Sequence, residues 1–128
     1  MADLLIVDDD EDVAWAVEQH LLLEGHTVRV AHDGEEGLSH LKARLPDLVV
    51  LDVEMPVLDG PAMAYRMFVH NVGLENIPIV LMSGVFDLTA VATRVGTPYF
   101  TPKPFDTDAL KQLVRRALTE RALPRPSP

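Results

Sequence analysis

The sequence predicts an α/β protein built on a mostly parallel, doubly wound sheet. Five short apolar runs alternate with five helical segments, and the chain of 128 residues is 48% hydrophobic, which suffices for one domain with a genuine core. Most of the runs are continuously apolar, which is typical of parallel strands that helices cover on both faces. Because the two kinds of segment alternate strictly, we expect right-handed crossovers throughout.

The predicted elements follow one another along the chain. The strands are the apolar runs Leu4–Val7, Thr27–Ala31, Leu48–Leu51, Ile77–Met82 and Tyr99–Thr101. The intervening segments have helical periodicity; in the first helix the positions that share one face are Val13, Ala16, Val17, His20 and Leu21. Asp33, Asp87 and Asp106 are the predicted N-caps of the second, fourth and fifth helices, because a carboxylate there accepts free backbone N–H groups. The segment Gly84–Gly96 is short and rich in Val and Thr, so the fourth helix is expected to be short and loosely held.

The composition disfavours several classes of function. The formal net charge is −9, whereas non-specific nucleic-acid binding and attachment to anionic membranes depend on Lys and Arg. No run approaches the roughly 18 apolar residues of a membrane span, and the N-terminus lacks the pattern of a signal peptide. There is no cysteine for a disulfide or a thiolate metal site. We therefore predict a cytoplasmic protein without direct nucleic-acid or membrane contact.

The chain is expected to form one domain over residues 1–122. Residues 123–128 make up a proline-rich tail that cannot continue a helix, and we expect this tail to be disordered.

Polar residues stand at the ends of four of the predicted strands. Asp8 and Asp9 follow the first strand, Asp52 the third, Ser83 the fourth and Lys103 the fifth. Ligands of open α/β sheets bind outside the carboxyl ends of the strands, so these side chains are expected to converge on one crevice.

This set of side chains fits magnesium-dependent phosphoryl chemistry. Three carboxylates repel one another, and burying them unpaired is expensive. Mg²⁺ takes oxygen ligands and favours one or two carboxylates together with phosphate oxygens. The ammonium of Lys103 and the hydroxyl of Ser83 suit the remaining oxygens of a phosphoryl group, and a carboxylate can form an aspartyl-phosphate.

Four segments resemble the signatures of the receiver domains of bacterial two-component response regulators, in that family's order and near its usual spacing. They are residues 4–10 (Leu-Leu-Ile-Val-Asp-Asp-Asp), 52–60 (Asp-Val-Glu-Met-Pro-Val-Leu-Asp-Gly), 81–84 (Leu-Met-Ser-Gly) and 100–105 (Phe-Thr-Pro-Lys-Pro-Phe). Four such segments in register are specific. The resemblance implies a flavodoxin-like, five-stranded sheet of order 2-1-3-4-5 with five helices on its two faces, and a chemotaxis-regulator-like, stand-alone receiver.

The resemblance also implies a role for each site residue. Asp52 would be the phosphoacceptor. Asp9, Asp52 and the backbone carbonyl of Glu54 would be direct ligands of Mg²⁺, while Asp8 would act largely through metal-bound water.

Further roles concern the residues around the phosphoryl group. Ser83 and Lys103 would contact its oxygens. Phe100 occupies the aromatic position whose inward swing accompanies Ser83 in the family's switch. The Lys103–Pro104 peptide bond is expected to be cis, a minority state even for X–Pro bonds.

The function that the resemblance implies is signalling and not turnover of a substrate. The domain would take a phosphoryl group from a sensor histidine kinase or phosphotransfer protein, assist its transfer and hydrolysis, and change its binding face for an output partner. We expect a monomer or weak dimer.

Two alternative functions remain open at this point. A phosphatase of the haloacid dehalogenase type would need a second Asp two residues after the nucleophile, where this chain has Glu54. A receiver-like scaffold without phosphorylation would not need the intact set of Asp8, Asp9, Asp52, Ser83 and Lys103.

Overall fold

The chain folds into one five-stranded parallel sheet with five helices. The computed structural model describes residues 1–70, 73, 76–103 and 106–127. The strands are β1 (Asp3–Val7), β2 (Thr27–Ala31), β3 (Leu48–Asp52), β4 (Ile79–Ser83) and β5 (Phe100–Pro102). The helices are α1 (Glu11–Leu23), α2 (Gly34–Ala43), α3 (Gly60–His70), α4 (Leu88–Val95) and α5 (Thr107–Glu120). The strands pair in the order β2-β1-β3-β4-β5, and all pairs are parallel, which confirms the predicted fold.

The last two strands begin later than the sequence predicts. β4 begins at Ile79 and not at Ile77, and β5 begins at Phe100 and not at Tyr99. Ile77 and Tyr99 are nonetheless buried, and Pro78 has no N–H to donate to a strand ladder. An apolar run therefore predicts what enters the core better than it predicts where strand pairing starts.

The sheet separates two apolar layers, as a doubly wound fold requires. Leu5 and Val7 of β1 face the layer formed with α2, α3 and α4, whereas Leu4 and Ile6 face the layer formed with α1 and α5. This alternation follows from the opposite directions of successive side chains in a strand. The central strands β1, β3 and β4 are buried along almost their whole length, so their side chains can reach a ligand only where these strands end.

The predicted helix N-caps are confirmed. The side chain of Asp33 accepts the N–H of Glu36, Asp87 accepts that of Ala90, and Asp106 accepts those of Asp108 and Ala109. α4 has eight residues, in agreement with the expected short fourth helix.

The tail differs from its prediction. No helix continues past Glu120, as expected, but Pro124 and Pro126 are buried, and the N–H of Ser127 donates to the carbonyl of Arg94 at 2.9 Å. These contacts argue against a tail that is free of the domain from residue 123. In the described part of the chain, no helix combines the length and apolarity that crossing a membrane would require.

Candidate functional site

Three carboxylates meet at the carboxyl edge of the sheet. Asp8 and Asp9 follow β1, and Asp52 is the last residue of β3, the strand next to β1. One oxygen of each carboxylate lies within 4.8 Å of the others. Asp8 is fully buried and Asp52 nearly so, whereas Asp9 is exposed. Adjacent residues differ so much because the chain leaves the sheet between them.

Asp10 caps helix α1, whereas Asp8 and Asp9 belong to the carboxylate cluster. The Asp10 side chain accepts the backbone N–H groups of Asp12 and Val13 and so caps α1. Its own N–H donates to Asp8 Oδ1 at 2.9 Å. The helix start is therefore satisfied by Asp10, which leaves the carboxylates of Asp8 and Asp9 directed to the site.

Lys103 supplies the positive charge. Its Nζ lies 2.8 Å from Asp8 Oδ2 and 3.4 Å from Asp52 Oδ1. Its backbone N–H donates to the carbonyl of Ser83 at 2.9 Å, which fixes the position of the residue after β5. Burial alone would lower the pKa of the Lys103 ammonium, but its bonds and charge interactions with Asp8 and Asp52 raise that pKa above its ordinary value. Lys103 therefore stays charged at neutral pH.

Asp52 is not an ordinary carboxylate. Burial, the negative charge of Asp8 and a hydrogen bond with Asp9 raise its pKa to about 7, although Lys103 and the N–H of Val53, which donates to Oδ1 at 2.8 Å, act in the opposite direction. With Lys103 as the neighbouring cation, Asp52 is therefore harder to ionise than an ordinary carboxylate, and additional positive charge would favour its ionised form.

Ser83 and Phe100 lie at different levels of the neighbouring strands β4 and β5. Ser83 ends β4 and is buried, and its Oγ accepts the N–H of Val85 at 3.2 Å. Phe100 is half-buried, packs on the layer of α2, α3 and α4, and lies opposite Leu81 in the register of β4 and β5. Ser83 is joined to Lys103 through its backbone carbonyl, whereas the roles of Ser83 and Phe100 at the site stay predictions.

An open cleft of about 450 Å³ reaches Asp9, the exposed member of the three carboxylates. It is lined by Asp9, Val53, Glu54, Met55 and Asp59. Glu54 lies in the loop after β3 with its side chain exposed, so this residue can offer its backbone while the carboxylate faces solvent. Pro104, and with it the expected cis bond to Lys103, lies outside the described residues.

The loop between β3 and α3 is closed tightly against Asp52. The N–H of Gly60 donates to the carbonyl of Val53 at 2.9 Å, and a Cβ added at Gly60 would lie 2.2 Å from the carbonyl oxygen of Asp52. No side chain fits there without displacing the backbone of Asp52. Gly60 therefore helps to set the position of Asp52.

The same loop contains a strained residue that the sequence did not reveal. Val57 has φ of 70°, and the N–H of Leu58 donates to the carbonyl of Pro56 across it at 2.7 Å, which makes a three-residue turn. A β-branched residue at positive φ is a genuine outlier. The side chain of Val57 is 78% exposed, so packing does little to offset the strain.

Replacing Val57 by Gly is expected to stabilise the protein by about 1 kcal/mol, because relief of the strain exceeds the entropy that Gly adds to the unfolded chain. Urea unfolding measures the difference. Val57→Ala is the control, since it keeps the Cβ that causes the strain. A Val57→Gly variant no more stable than Val57→Ala would contradict this interpretation.

A doubly wound sheet with an acidic cluster and a lysine at its carboxyl edge defines the receiver class of signalling domains. The comparisons agree, because the sequence profile of the response regulator receiver domain matches residues 4–115. The chain belongs to this family: it is a receiver domain of the kind found in two-component response regulators.

Relatives and solved structures support this assignment. The chain is 34% identical over 116 residues to the DNA-binding transcriptional regulator NtrC of Salmonella typhimurium, a match that covers 89% of the chain and 24% of NtrC. It is 36% identical over 118 residues to the response regulator MprA of Mycobacterium ulcerans, covering 88% of the chain and 47% of MprA. The chain thus spans about a quarter of NtrC and about half of MprA.

Among solved structures, a putative response regulator from Chloroflexus aurantiacus has a TM-score of 0.86 at 32% identity, covering 92% of this chain and 98% of that one. The receiver domain of NtrX from Brucella abortus has a TM-score of 0.82 at 35% identity, covering 91% and 98%. The phosphatase and scaffold alternatives gain no support from these matches.

Proposed function

We propose that this domain accepts a phosphoryl group on Asp52 from a histidine kinase or a phosphotransfer protein. The observation that carries the proposal is the placement of Asp52 at the end of β3, with its oxygens beside those of Asp8 and Asp9 and 3.4 Å from Lys103 Nζ. In the transfer, an Asp52 oxygen forms the new bond to phosphorus while the bond from phosphorus to the donor atom breaks, and the bonding electrons leave with the donor. The reaction needs charge neutralisation and positioning more than further covalent chemistry.

The residues present fit Mg²⁺. Asp8 Oδ2 is buried and, apart from the ammonium of Lys103, has no hydrogen-bond donor among the described residues. Asp9 and Asp52, with the carbonyl of Glu54, would hold the ion directly, and Asp8 would act through bound water. When bound, Mg²⁺ supplies positive charge that favours ionised Asp52 and neutralises the phosphoryl oxygens.

The chain's own residues then divide the remaining work. Lys103 neutralises charge on the phosphoryl group, and its ion pair with Asp8 keeps the ammonium aimed at the site. Ser83 Oγ would turn to a phosphoryl oxygen and give up the N–H of Val85. Space vacated by Ser83 would admit Phe100, so the region around α4 and β5 would report phosphorylation.

Phosphorylation by acetyl phosphate tests the proposal. The protein is incubated with the donor and Mg²⁺, and its intact mass is measured. We expect one added phosphate that is absent in Asp52→Asn and without Mg²⁺. Glu54→Gln is the matched control, because it removes an exposed carboxylate near the site but keeps the backbone carbonyl that would hold Mg²⁺, and it should still be labelled. A phosphate that persists in Asp52→Asn would overturn the assignment.

Mg²⁺ is expected to raise the melting temperature of the wild-type protein by about 5 °C at ten times its dissociation constant, because a ligand that binds only the folded state stabilises it. Thermal melts with and without millimolar Mg²⁺ measure the shift. Asp9→Asn should stabilise the metal-free protein slightly by relieving repulsion and should abolish the response. Equal shifts in both proteins would contradict the proposed ligand set.

The partners beyond this step are proposed only by class. NtrC is described as a DNA-binding transcriptional regulator. If this domain controls a DNA-binding output, residues outside this domain would contact the DNA, because the net charge of these 128 residues is −9. A cytoplasmic location and a monomer or weak dimer stay predictions.

A further inference from the structure

The segment after α5 packs against the C-terminal end of α4. We name residues 122–127 the strap. Pro124 and Pro126 are buried, whereas Leu123, Arg125 and Ser127 are exposed. This alternation is that of an extended chain with one face on a surface. Proline suits the buried positions, because it has no backbone N–H that burial would leave unpaired.

A buried tyrosine fixes the beginning of the strap. The N–H of Ala122 donates to the hydroxyl oxygen of Tyr99 at 3.2 Å, and that hydroxyl donates to Glu120 Oε1 at 3.0 Å. The guanidinium of Arg116 lies 5.4 Å from the centre of the Tyr99 ring. Tyr99 is fully buried and directly precedes Phe100, which faces the opposite side of the sheet. The strap is thus joined to β5 beside the proposed switch residue.

The end of the strap caps α4. Gly96, the C-cap of α4, has φ of +76°, and a Cβ added there would lie 2.6 Å from both N and O of Arg125. The backbone of the strap therefore lies directly on Gly96. The N–H of Ser127 then donates to the carbonyl of Arg94 at 2.9 Å, one of the last carbonyls of α4 that intrahelical bonds leave open.

We propose that the strap is a clamp on α4 that phosphorylation of Asp52 releases. The proposal deepens the proposed function and rests on it. α4 has eight residues, and isolated helices of that length are marginal, so contacts must fix its position. Residues 84–87 join its N-terminal end to Ser83, and the strap holds its C-terminal end. A shift of Ser83 and Phe100 would therefore disturb α4 and Tyr99, which are the two supports of the strap.

Coupling of this kind acts in both directions. The strap binds α4 more tightly when Asp52 is unphosphorylated, so a phosphoryl group on Asp52 loosens the strap. By the same coupling, loss of the strap strengthens the binding of a phosphoryl mimic at Asp52 by the same factor. Release of the strap would then transmit the phosphorylation state of Asp52 to groups that contact the strap.

Amide exchange in the metal-free protein tests the clamp alone. Ser127→Pro removes the single N–H that bonds Arg94, and Ser127→Ala keeps it. A second pair compares Pro124→Ser/Pro126→Ser, at buried positions, with Leu123→Ser/Arg125→Ser, at exposed ones. Exchange in residues 91–97 should be several-fold faster in Ser127→Pro and the buried pair, and unchanged in both controls. Equal exchange in Ser127→Pro and Ser127→Ala, together with equal exchange in the two double variants, would overturn the clamp.

Beryllofluoride with Mg²⁺, a mimic of the phosphoryl group, tests the release. Exchange at the amides of Leu123, Arg125 and Ser127 should rise several-fold, and Ser127→Pro should bind beryllofluoride about fivefold more tightly than Ser127→Ala. Binding that protects the Asp52 loop but leaves strap exchange and variant affinity unchanged would overturn the release. If beryllofluoride does not protect the amides of the Asp52 loop, so that wild type and Asp52→Asn exchange alike, both the proposed function and the release are overturned. The clamp is decided separately, by the metal-free measurement.

Discussion

Lys103→Met is expected to destabilise the metal-free protein by about 3 kcal/mol at pH 8, because removing one partner of a buried ion pair leaves the other charge uncompensated. Asp8 is fully buried, and Lys103 Nζ is the charge partner of its Oδ2 at 2.8 Å. Met keeps most of the apolar stem of Lys, so the lost free energy reports the charge more than the packing. Urea unfolding measures the difference.

Two further variants separate the ion pair from general effects. Lys42→Met, at an exposed position of α2, removes the same charge and should change the free energy of unfolding by less than about 0.5 kcal/mol. Asp8→Asn in the Lys103→Met background should recover much of the loss, since the buried negative charge is then gone. A loss below about 1 kcal/mol in Lys103→Met, with no recovery in the double variant, would refute this electrostatic picture of the site.

The convergence of the site was predictable from the order of the elements. Asp8 follows β1, Asp52 is the last residue of β3 and Lys103 follows β5, and parallel strands all end at the same edge of a sheet. Apolar runs and helical spacing were enough to identify those strands. The carboxylates and the ammonium could therefore be brought together without any knowledge of distances.

The division of labour among the acidic residues was not predictable in the same way. Asp8 is buried, Asp9 is exposed and Asp10 caps α1, although the three are consecutive and chemically identical. What separates them is the path of the backbone as it leaves β1. The positive φ of Val57 depends likewise on the closure of a loop, and no composition signal marks it.

The strap shows the limit of composition most clearly. A proline-rich terminal sequence predicts disorder, because it contains few residues that build a core. Here the open carbonyl of Arg94 and the bare backbone of Gly96 provide a surface that suits two prolines and one N–H. That surface is made by residues about 30 positions earlier in the chain, which local sequence patterns do not relate to the tail.

Asp52→Asn is expected to stabilise the metal-free protein at pH 8 by about 2 to 4 kcal/mol, with a gain that vanishes toward pH 4. The pKa of Asp52 is about 7 in the folded protein against an ordinary value of 3.8. The folded state thus retains a proton that the unfolded state loses as the pH rises through this window. The free energy of unfolding of the wild-type protein should fall between about pH 4 and pH 7, then level off as far as Asp52 is concerned.

Urea unfolding of wild type and Asp52→Asn at several pH values measures this difference, with Glu54→Gln as the control. Glu54 is an exposed carboxylate of the same cleft, so its replacement should leave the pH profile of the wild type unchanged. Mg²⁺ should narrow the gap at pH 8, because it binds the ionised carboxylate of the wild type and lowers the pKa of Asp52. Parallel pH profiles for wild type and Asp52→Asn would mean that Asp52 ionises as readily in the fold as in the unfolded chain. Burial and the charge of Asp8 would then not set the chemistry of this carboxylate, and the need for a cation at the site would have to come from the phosphoryl group alone.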